Sequence, residues 1–536
     1  MDINTILLSS IPIIYLWAVV KNSKYLLVLY PFILLVPFIL FYIHYYDTII
    51  TEQVLSIIIE SNWQETIGFL GANIYFYLLI CLLWIVSMTI LFWQNHRAPL
   101  VWTHHSRWWL IVGVSGILVL TISANLLLNR NTEDMVVYES NDFLVERKNN
   151  FYQEFKNTYP LGLLVSLKDL YQEQAKINAA FIKNKNFSFK AVQPVFKKNK
   201  QLIVLVIGET SRRANWQLNG YSRDTNPLLD KQSNLINLSD MIGVSEATRS
   251  SIPMLLTRKP AKQVYEYDFP EPSVITAFKE VGFETYWVSN QQKFGSYDTS
   301  TSVYAREADH MFFLNKANYY HHGETDEVVL PVFKKIINSN AQKIFVVVHT
   351  LGSHYDYSHR YPENYDVFKP SLNDLDKYSL QDKKYKKELI NSYDNSILYT
   401  DYVLNELIEG MKMQKDAESF LFYSSDHGED LFDNNCDKVG HGNETAYNVE
   451  IASFAWYSDK FADNNLQKIK KLKINRNSKV NQTSIFPTLI DAADIKIPKY
   501  GNGRSILGEL SPYQRLILSD KDYDKNKWQS ICREIQ

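Results

Sequence analysis

The chain is 536 residues long with a formal net charge of −2, which excludes a partner held mainly by bulk charge, nucleic acid above all. No Cys-x-x-Cys spacing occurs among its three cysteines, so a cysteine-based zinc site is excluded too. The average composition hides two halves, a nearly all-apolar stretch over residues 1–128 and a mixed, charged remainder over 129–536. Four apolar runs fill the first half, at about 4–20, 25–43, 72–93 and 108–128. Each is near the ~20 residues that carry a helix across a bilayer. Trp93, Trp102, Trp108 and Trp109 stand at their ends, where an interfacial aromatic belt belongs. The flanks of the first run, Met1-Asp2-Ile3-Asn4 with no basic residue, are not those of a cleaved signal peptide.

The loops between the runs predict an orientation. Lys21-Asn22-Ser23-Lys24 is basic, and 94–107 carries Arg97, Arg107 and three histidines. Both loops are predicted to be cytoplasmic. The segment 44–71 carries Asp47, Glu52, Glu60 and Glu65 with no lysine or arginine, and is predicted to lie outside as an amphipathic stretch. Four crossings then place the N-terminus and the large C-terminal part outside. Cys81 falls within the third run, which leaves Cys436 and Cys532 as isolated thiols with no disulfide framework expected.

Residues 129–200 read as a connector with helical spacing around Leu164 to Phe181. From Gln201 onward, strands alternate with helical stretches. Leu202–Ile207, Thr285–Val288, Ile344–Val348, Phe420–Tyr423 and Ile451–Trp456 are the predicted strands. The alternation predicts an α/β domain over 201–536 with a mostly parallel sheet covered by helices.

Chemistry collects at the strand ends, which in an open α/β sheet share one edge. The run Phe420-Leu421-Phe422-Tyr423 leads into Ser425-Asp426-His427-Gly428-Glu429. A carboxylate beside an imidazole suits Zn²⁺ or Mn²⁺ better than Mg²⁺. Leu202–Ile207 leads into Gly208-Glu209-Thr210, and Ile344–Val348 into His349-Thr350-Leu351-Gly352-Ser353-His354. Taken singly, Glu209 or Asp426 could merely cap a helix; together the three strand ends predict a metal site. A nucleophile is expected in Glu246-Ala247-Thr248-Arg249-Ser250-Ser251-Ile252-Pro253. A hydroxyl at a helix N-terminus beside a cation has its alkoxide stabilised by both. The residues alone do not choose among Thr248, Ser250 and Ser251.

Several motifs together resemble the bacterial phosphoethanolamine transferases. They are Gly208-Glu209-Thr210, Asn219-Gly220-Tyr221-Ser222-Arg223-Asp224-Thr225-Asn226-Pro227, Thr248 with Pro253, and Gly352-Ser353-His354 with Arg360-Tyr361-Pro362. Ser425-Asp426-His427-Gly428-Glu429 with Gly440-His441-Gly442 completes the set. The resemblance implies an inner-membrane enzyme, a transmembrane helix bundle followed by an alkaline phosphatase or sulfatase-like domain. It implies metal ligands at Glu209, Thr248, Asp426 and His427, with Thr248 as nucleophile. It places His354, Glu429 and His441 around the phosphoryl group or a further metal ion. Ser61 and Glu65 match a lipid-donor patch, and Asn290 and Lys293 match substrate-side positions. The implied reaction moves phosphoethanolamine from phosphatidylethanolamine to lipopolysaccharide, on a core sugar or lipid A, through a threonine-bound intermediate. Zn²⁺ is the implied ion, with Mn²⁺ or a second ion as options. His354 or His441 would shuttle protons.

Three departures from the family pattern stand out. Val244 and Met254 occupy places where relatives carry a disulfide, so packing must hold the nucleophile loop. Ile57 replaces a polar residue of the lipid-side patch. The family has five transmembrane helices, and the first run here matches its second, so either the N-terminus lies outside or a further helix precedes it. The alternative readings are a lipoteichoic-acid-type glycerol-phosphate transferase, a sulfatase-like phosphodiesterase, and a degenerate non-catalytic membrane scaffold. No cysteine lies near Thr248, which disfavours a sulfatase, and the intact ligand positions disfavour the scaffold.

Overall fold

The computed structural model describes residues 3–46, 55, 74–117, 158–184, 186–194, 198–266, 269–291, 300–315, 323–501, 503–528 and 530–535. Ser61, Glu65 and Lys293 lie outside the described residues, as do Ile57, residues 72–73 and residues 118–128 of the apolar runs. The chain divides into two compact units, Met1–Ser61 with Asn73–Gln174, and Asn62–Ala72 with Ala175–Gln536.

The first unit is helical: α1 Ile3–Val20, α2 Leu26–Tyr46, α3 Ile74–Arg97, a further helix over 106–117, and the start of α4 Leu161–Asn184. Among the described residues two helical stretches, Ser23–Phe41 and Tyr75–Arg97, are long and apolar enough to cross a membrane. Ser9–Val20 is a shorter apolar stretch. Val28, Phe38, Leu79, Leu82 and Leu83 are all exposed. An apolar surface of that extent needs a covering phase. The two basic loops meet. Ser23 N–H donates to the Leu100 carbonyl at 2.9 Å, Trp102 N–H to the Lys21 carbonyl at 2.8 Å, and Asn95 Nδ2 to the Ser23 carbonyl at 3.0 Å. Trp17 packs on Trp102, ring centres 5.1 Å apart. Those bonds tie the two loops to the same end of the helices.

The second unit is built on one seven-stranded sheet. Its strands are β1 Gln201–Gly208, β2 Leu235–Asn237, β3 Glu284–Ser289, β4 His310–Phe313, β5 Lys343–His349, β6 Glu418–Ser425 and β7 Ser453–Tyr457. The order across the sheet is β2-β7-β6-β1-β5-β3-β4, and only β7 runs against its neighbours. The continuous apolar runs predicted as strands are buried on both faces, as parallel strands under helical layers require. Strand periodicity sorts the side chains. Ile203, Leu205 and Ile207 of β1 pack with helices α5 Thr248–Leu256, α6 Val274–Glu280 and a C-terminal helix over Ile485–Ala492. Leu202, Val204 and Val206 face the opposite way, onto α7 Val329–Ile337 and α8 Lys386–Lys412. The fold class is the expected one, an α/β domain with a mostly parallel sheet and apolar helices before it.

The Asn219–Pro227 motif serves this packing. Tyr221 Oη and Arg223 donate to the buried Asp394 of α8 at 2.8 and 2.7 Å, and Thr225 Oγ1 donates to the Asn215 carbonyl. The loop is thereby fastened across the helix that backs the sheet.

Sequence spacing treats Cys436 and Cys532 as isolated thiols; the structure corrects this. The two form a disulfide across 96 residues of sequence, and Cys81 stays free. The C-terminal segment returns to the 433–447 loop, a long-range contact that no local spacing reveals. Thr445 bridges Glu534, Lys438 pairs with Glu534 at 2.8 Å, and Arg533 pairs with the buried Glu450 at 2.6 Å. Such a bond persists in oxidising compartments. Chain entropy for a closed loop of that size gives roughly 4–5 kcal/mol. Cys436→Ala with Cys532→Ala should therefore lower the thermal midpoint by several degrees, and reductant should lower the wild-type midpoint similarly. A wild-type midpoint indifferent to reductant would show that the bond contributes nothing.

Candidate functional site

The parallel register brings the candidate ligand residues together. Gly208 at the end of β1 is paired with Ser425 at the end of β6, so Glu209 and Asp426 leave the sheet side by side. His349 ends β5 opposite Ile207. Two glycines are required by close approach. A Cβ on Gly352, at φ +52°, would stand 2.6 Å from the Glu209 carbonyl oxygen, and one on Gly428 would stand 2.1 Å from that of Tyr447.

Four side chains converge at this edge. Thr248 Oγ1 lies 3.2 and 3.3 Å from the two carboxylate oxygens of Glu209 and 3.3 Å from His427 Nε2. His427 Nε2 is 3.3 Å from Glu209 Oε1 and 3.5 Å from Asp426 Oδ2. Thr248 is the first residue of α5, after Ala247 in extended backbone, so the positive end of the helix faces its hydroxyl. The hydroxyls left open by sequence are thus separated. Ser250 Oγ is bonded to Ser245 Oγ at 2.6 Å, Ser251 Oγ donates to the Ser245 carbonyl, and both are buried beneath the helix.

Hydrogen bonds fix how each group presents itself. His427 Nδ1 lies 2.9 Å from the Gly428 carbonyl, which can only accept, so Nδ1 carries the proton and Nε2 faces the cluster. Asp426 Oδ1 accepts the backbone N–H groups of Thr210 and His427 at 3.0 and 2.7 Å. Its Oδ2 is buried with no hydrogen-bond partner. A buried carboxylate oxygen left bare costs free energy unless a cation meets it. Burial and the Glu209 charge push the Asp426 carboxyl up to about 7. Burial pulls on His427 in the other direction, but the charges of Asp426 and Glu209 outweigh it and hold the imidazole at about 10. Burial also opposes ionisation of Glu209, yet the hydrogen bond to His427 and its charge hold that carboxylate well below its usual range. The set is one that demands positive charge.

Glu209, Asp426 and His427 offer donor atoms within 4.8 Å of one another, and so do His427, Glu429 and His441. The donor set, its burial and the bare Asp426 oxygen fit a divalent ion. Around it, Glu429 accepts from Tyr357 Oη at 2.8 Å and lies 3.3 Å from His441 Nδ1, which orients that ring. The His427 and His441 rings are 4.5 Å apart between centres, and His354 and His441 are 6.5 Å apart. His354 Nδ1 is tied to the Tyr355 carbonyl at 2.9 Å, and Arg360 Nε donates to the His354 carbonyl. The Arg360 motif therefore holds the His354 turn.

Asn290 is not brought into this group. It is fully buried, donating to Asp326 Oδ1 and the Glu324 carbonyl at 2.9 Å each. Asp326 in turn accepts the N–H groups of Leu351 and Gly352. Its neighbour Gln291 reaches the cluster instead, with Nε2 3.3 Å from Glu209 Oε2. Sequence reasoning also missed Gln482. Its side-chain amide donates to the Asp426 carbonyl and accepts from Val244 N–H at 2.9 Å, joining the end of β6 to the loop that leads into Thr248. Val244 and Met254 are buried in one apolar cluster with Ala261, Val264 and Leu516, so packing does hold that loop.

A family model described as Sulfatase matches residues 201–495. The chain is 30% identical over 345 residues to the phosphoethanolamine transferase EptC of Escherichia coli (strain K12), covering 60% of this chain and 57% of that protein. It thus spans less than three-fifths of the length of the curated relative it matches. Among solved structures it is similar to the C-terminal periplasmic domain of EptC from Escherichia coli. The TM-score is 0.56 at 26% identity, covering 64% of this chain and 98% of that domain. The same domain has also been solved in complex with Zn. The lipooligosaccharide phosphoethanolamine transferase A of Neisseria meningitidis, an integral membrane protein, shares the fold. Its TM-score is 0.67 at 20% identity over 92% of this chain and 88% of that one.

Proposed function

The chain belongs to the sulfatase family, and we propose that it is a metal-dependent phosphoethanolamine transferase. The donor is phosphatidylethanolamine and the acceptor lipopolysaccharide, on a core sugar or lipid A. One observation carries this reading: a helix-leading threonine hydroxyl 3.2–3.3 Å from a buried carboxylate and imidazole, beside a carboxylate oxygen with no hydrogen-bond partner.

Glu209, Thr248, Asp426 and His427 would hold the ion. An oxygen-and-nitrogen set of this kind suits Zn²⁺, with Mn²⁺ second, and Glu429 and His441 extend the donors toward a second ion. When bound, the ion supplies Lewis acidity that lowers the pKa of the Thr248 hydroxyl. Thr248 Oγ1 attacks the donor phosphorus, its proton passing to a nearby imidazole. The phosphorus–oxygen bond to diacylglycerol breaks, and the leaving oxygen takes that proton. Phosphoethanolamine stays on Thr248 until an acceptor hydroxyl or phosphate displaces it. His354 and His441 are the shuttles; each holds its Nδ1 on a fixed acceptor and keeps Nε2 for the substrate.

Residues 1–128 serve as the transmembrane domain, 129–200 as connector and 201–536 as the catalytic domain. A donor with two acyl chains stays in the bilayer, which gives the apolar half its purpose. Both basic loops sit at one end of the helices, which supports a cytoplasmic side there and a periplasmic catalytic domain. Incubation of the full chain with phosphatidylethanolamine should add one phosphoethanolamine to the peptide containing Thr248, read by mass spectrometry. An adduct on Thr210, Ser250 or Ser251 would overturn the assignment. A glycerol-phosphate adduct from phosphatidylglycerol alone would instead favour the lipoteichoic-acid-type reaction.

A further inference from the structure

We infer that Glu246 receives the ammonium group of the donor headgroup and so selects an aminoalcohol ester over a neutral one; the inference rests on the transferase reading. Ala247 is extended, at φ −145° and ψ 141°. Glu246 lies two residues before Thr248, on the far side of that extended residue. Two residues of such backbone span about 6.6 Å. That interval suits a headgroup whose phosphorus is at Thr248 and whose nitrogen lies two carbons beyond an ester oxygen.

The carboxylate is also placed by the other wall of the site. Glu246 Oε2 accepts the backbone N–H of Glu444 at 2.6 Å, three residues beyond His441. Burial pushes the Glu246 carboxyl up to about 7, opposed by the Glu444 N–H and by the nearby His441 and His427 rings. Among the described residues no lysine or arginine pairs with Glu246. Glu444, the neighbouring acid, is taken by Lys521 at 3.0 Å. Glu209, Asp426 and Glu429 are committed to the histidine clusters. Among the described residues Glu246 is therefore the carboxylate of this edge with no cationic side chain paired to it, and an incoming ammonium would favour its ionised form. A partly exposed acid two residues from the nucleophile attracts a cationic headgroup and is indifferent to a neutral one.

The test compares two donors with the same diacylglycerol leaving group, phosphatidylethanolamine and phosphatidylethanol, in mixed micelles with the full chain. Wild type should prefer the ethanolamine donor in kcat/KM, and Glu246→Gln should cut that preference about tenfold or more, the size expected for a charged hydrogen bond. Glutamine keeps an acceptor for the Glu444 N–H, so the loop contact survives. An unchanged preference in E246Q overturns the inference. A second measurement needs no variant: O-phosphoethanolamine should inhibit the wild type more strongly than ethyl phosphate, and equal inhibition also overturns it. Failure of wild type to form any Thr248 adduct from phosphatidylethanolamine would sink the transferase reading itself. That outcome is distinct from an active enzyme with no headgroup preference.

Discussion

Thr248→Ala should lower phosphoethanolamine transfer by on the order of 10⁴-fold or more, as removal of a covalent nucleophile does. It should also erase the mass adduct. The reasons lie in the contacts of one oxygen. Thr248 Oγ1 is held within 3.3 Å of Glu209 and His427. It stands on the first residue of a nine-residue helix. Helix dipole and cation would both stabilise its alkoxide, and among the described residues no other hydroxyl has that position. Ser250 and Ser251 are spent on Ser245. The fold should survive, because alanine removes no buried apolar packing and helix formers tolerate it at this position. Thermal midpoints within a few degrees of wild type would separate lost chemistry from lost structure. Thr248→Ser should keep the adduct at a reduced rate, since the hydroxyl is retained. An alanine variant that transfers within tenfold of wild type would rule out the covalent mechanism.

What the sequence made legible follows from where its information is local. The runs Leu202–Ile207 and Phe420–Tyr423 announce buried parallel strands, because both faces of such strands are covered and every position is apolar. Each run is followed at once by its candidate ligands, so Glu209, Asp426 and His427 could be read as neighbours before any register was known. The predicted second strand and the last, Thr285–Val288 and Ile451–Trp456, fall on β3 and β7 to within a few residues. The reversed direction of β7 was not legible, since an antiparallel strand buried on both faces carries the same apolar pattern. Contacts made across long separations were hidden altogether. Gln482 meets Asp426 and Val244 through its own side chain, and no local motif marks it. Cys436 and Cys532 pair only because the tail returns past Thr445 and Glu450. Asn290 and Gln291 differ by one step along a strand exit, and that step decides which is buried on Asp326 and which touches Glu209.

Metal removal should stop turnover and Zn²⁺ should restore it, and the stability of the protein should report the same site independently. In wild type the ion binds the folded state alone, so saturating metal raises the thermal midpoint; at about 1,000 times Kd the linkage is worth roughly 4 kcal/mol. Asp426→Asn should abolish that rise. Asparagine keeps an oxygen for the Thr210 and His427 N–H groups. It replaces the bare Oδ2 with an amide that points hydrogens at the cluster, where a cation would sit. The metal-free proteins should then rank the other way. Asp426 is pushed up to about 7 by burial and by Glu209, so deleting its charge relieves a strained pair. Apo Asp426→Asn should be at least as stable as apo wild type. His427→Ala removes the imidazole that both carboxylates rely on, so it should lose metal and also destabilise the apo protein. Metal content by mass spectrometry and midpoints with and without Zn²⁺ measure all four states. A metal-dependent rise in midpoint that persists in Asp426→Asn would remove Asp426 from the ligand set. Full activity after exhaustive chelation would remove the ion from the reaction.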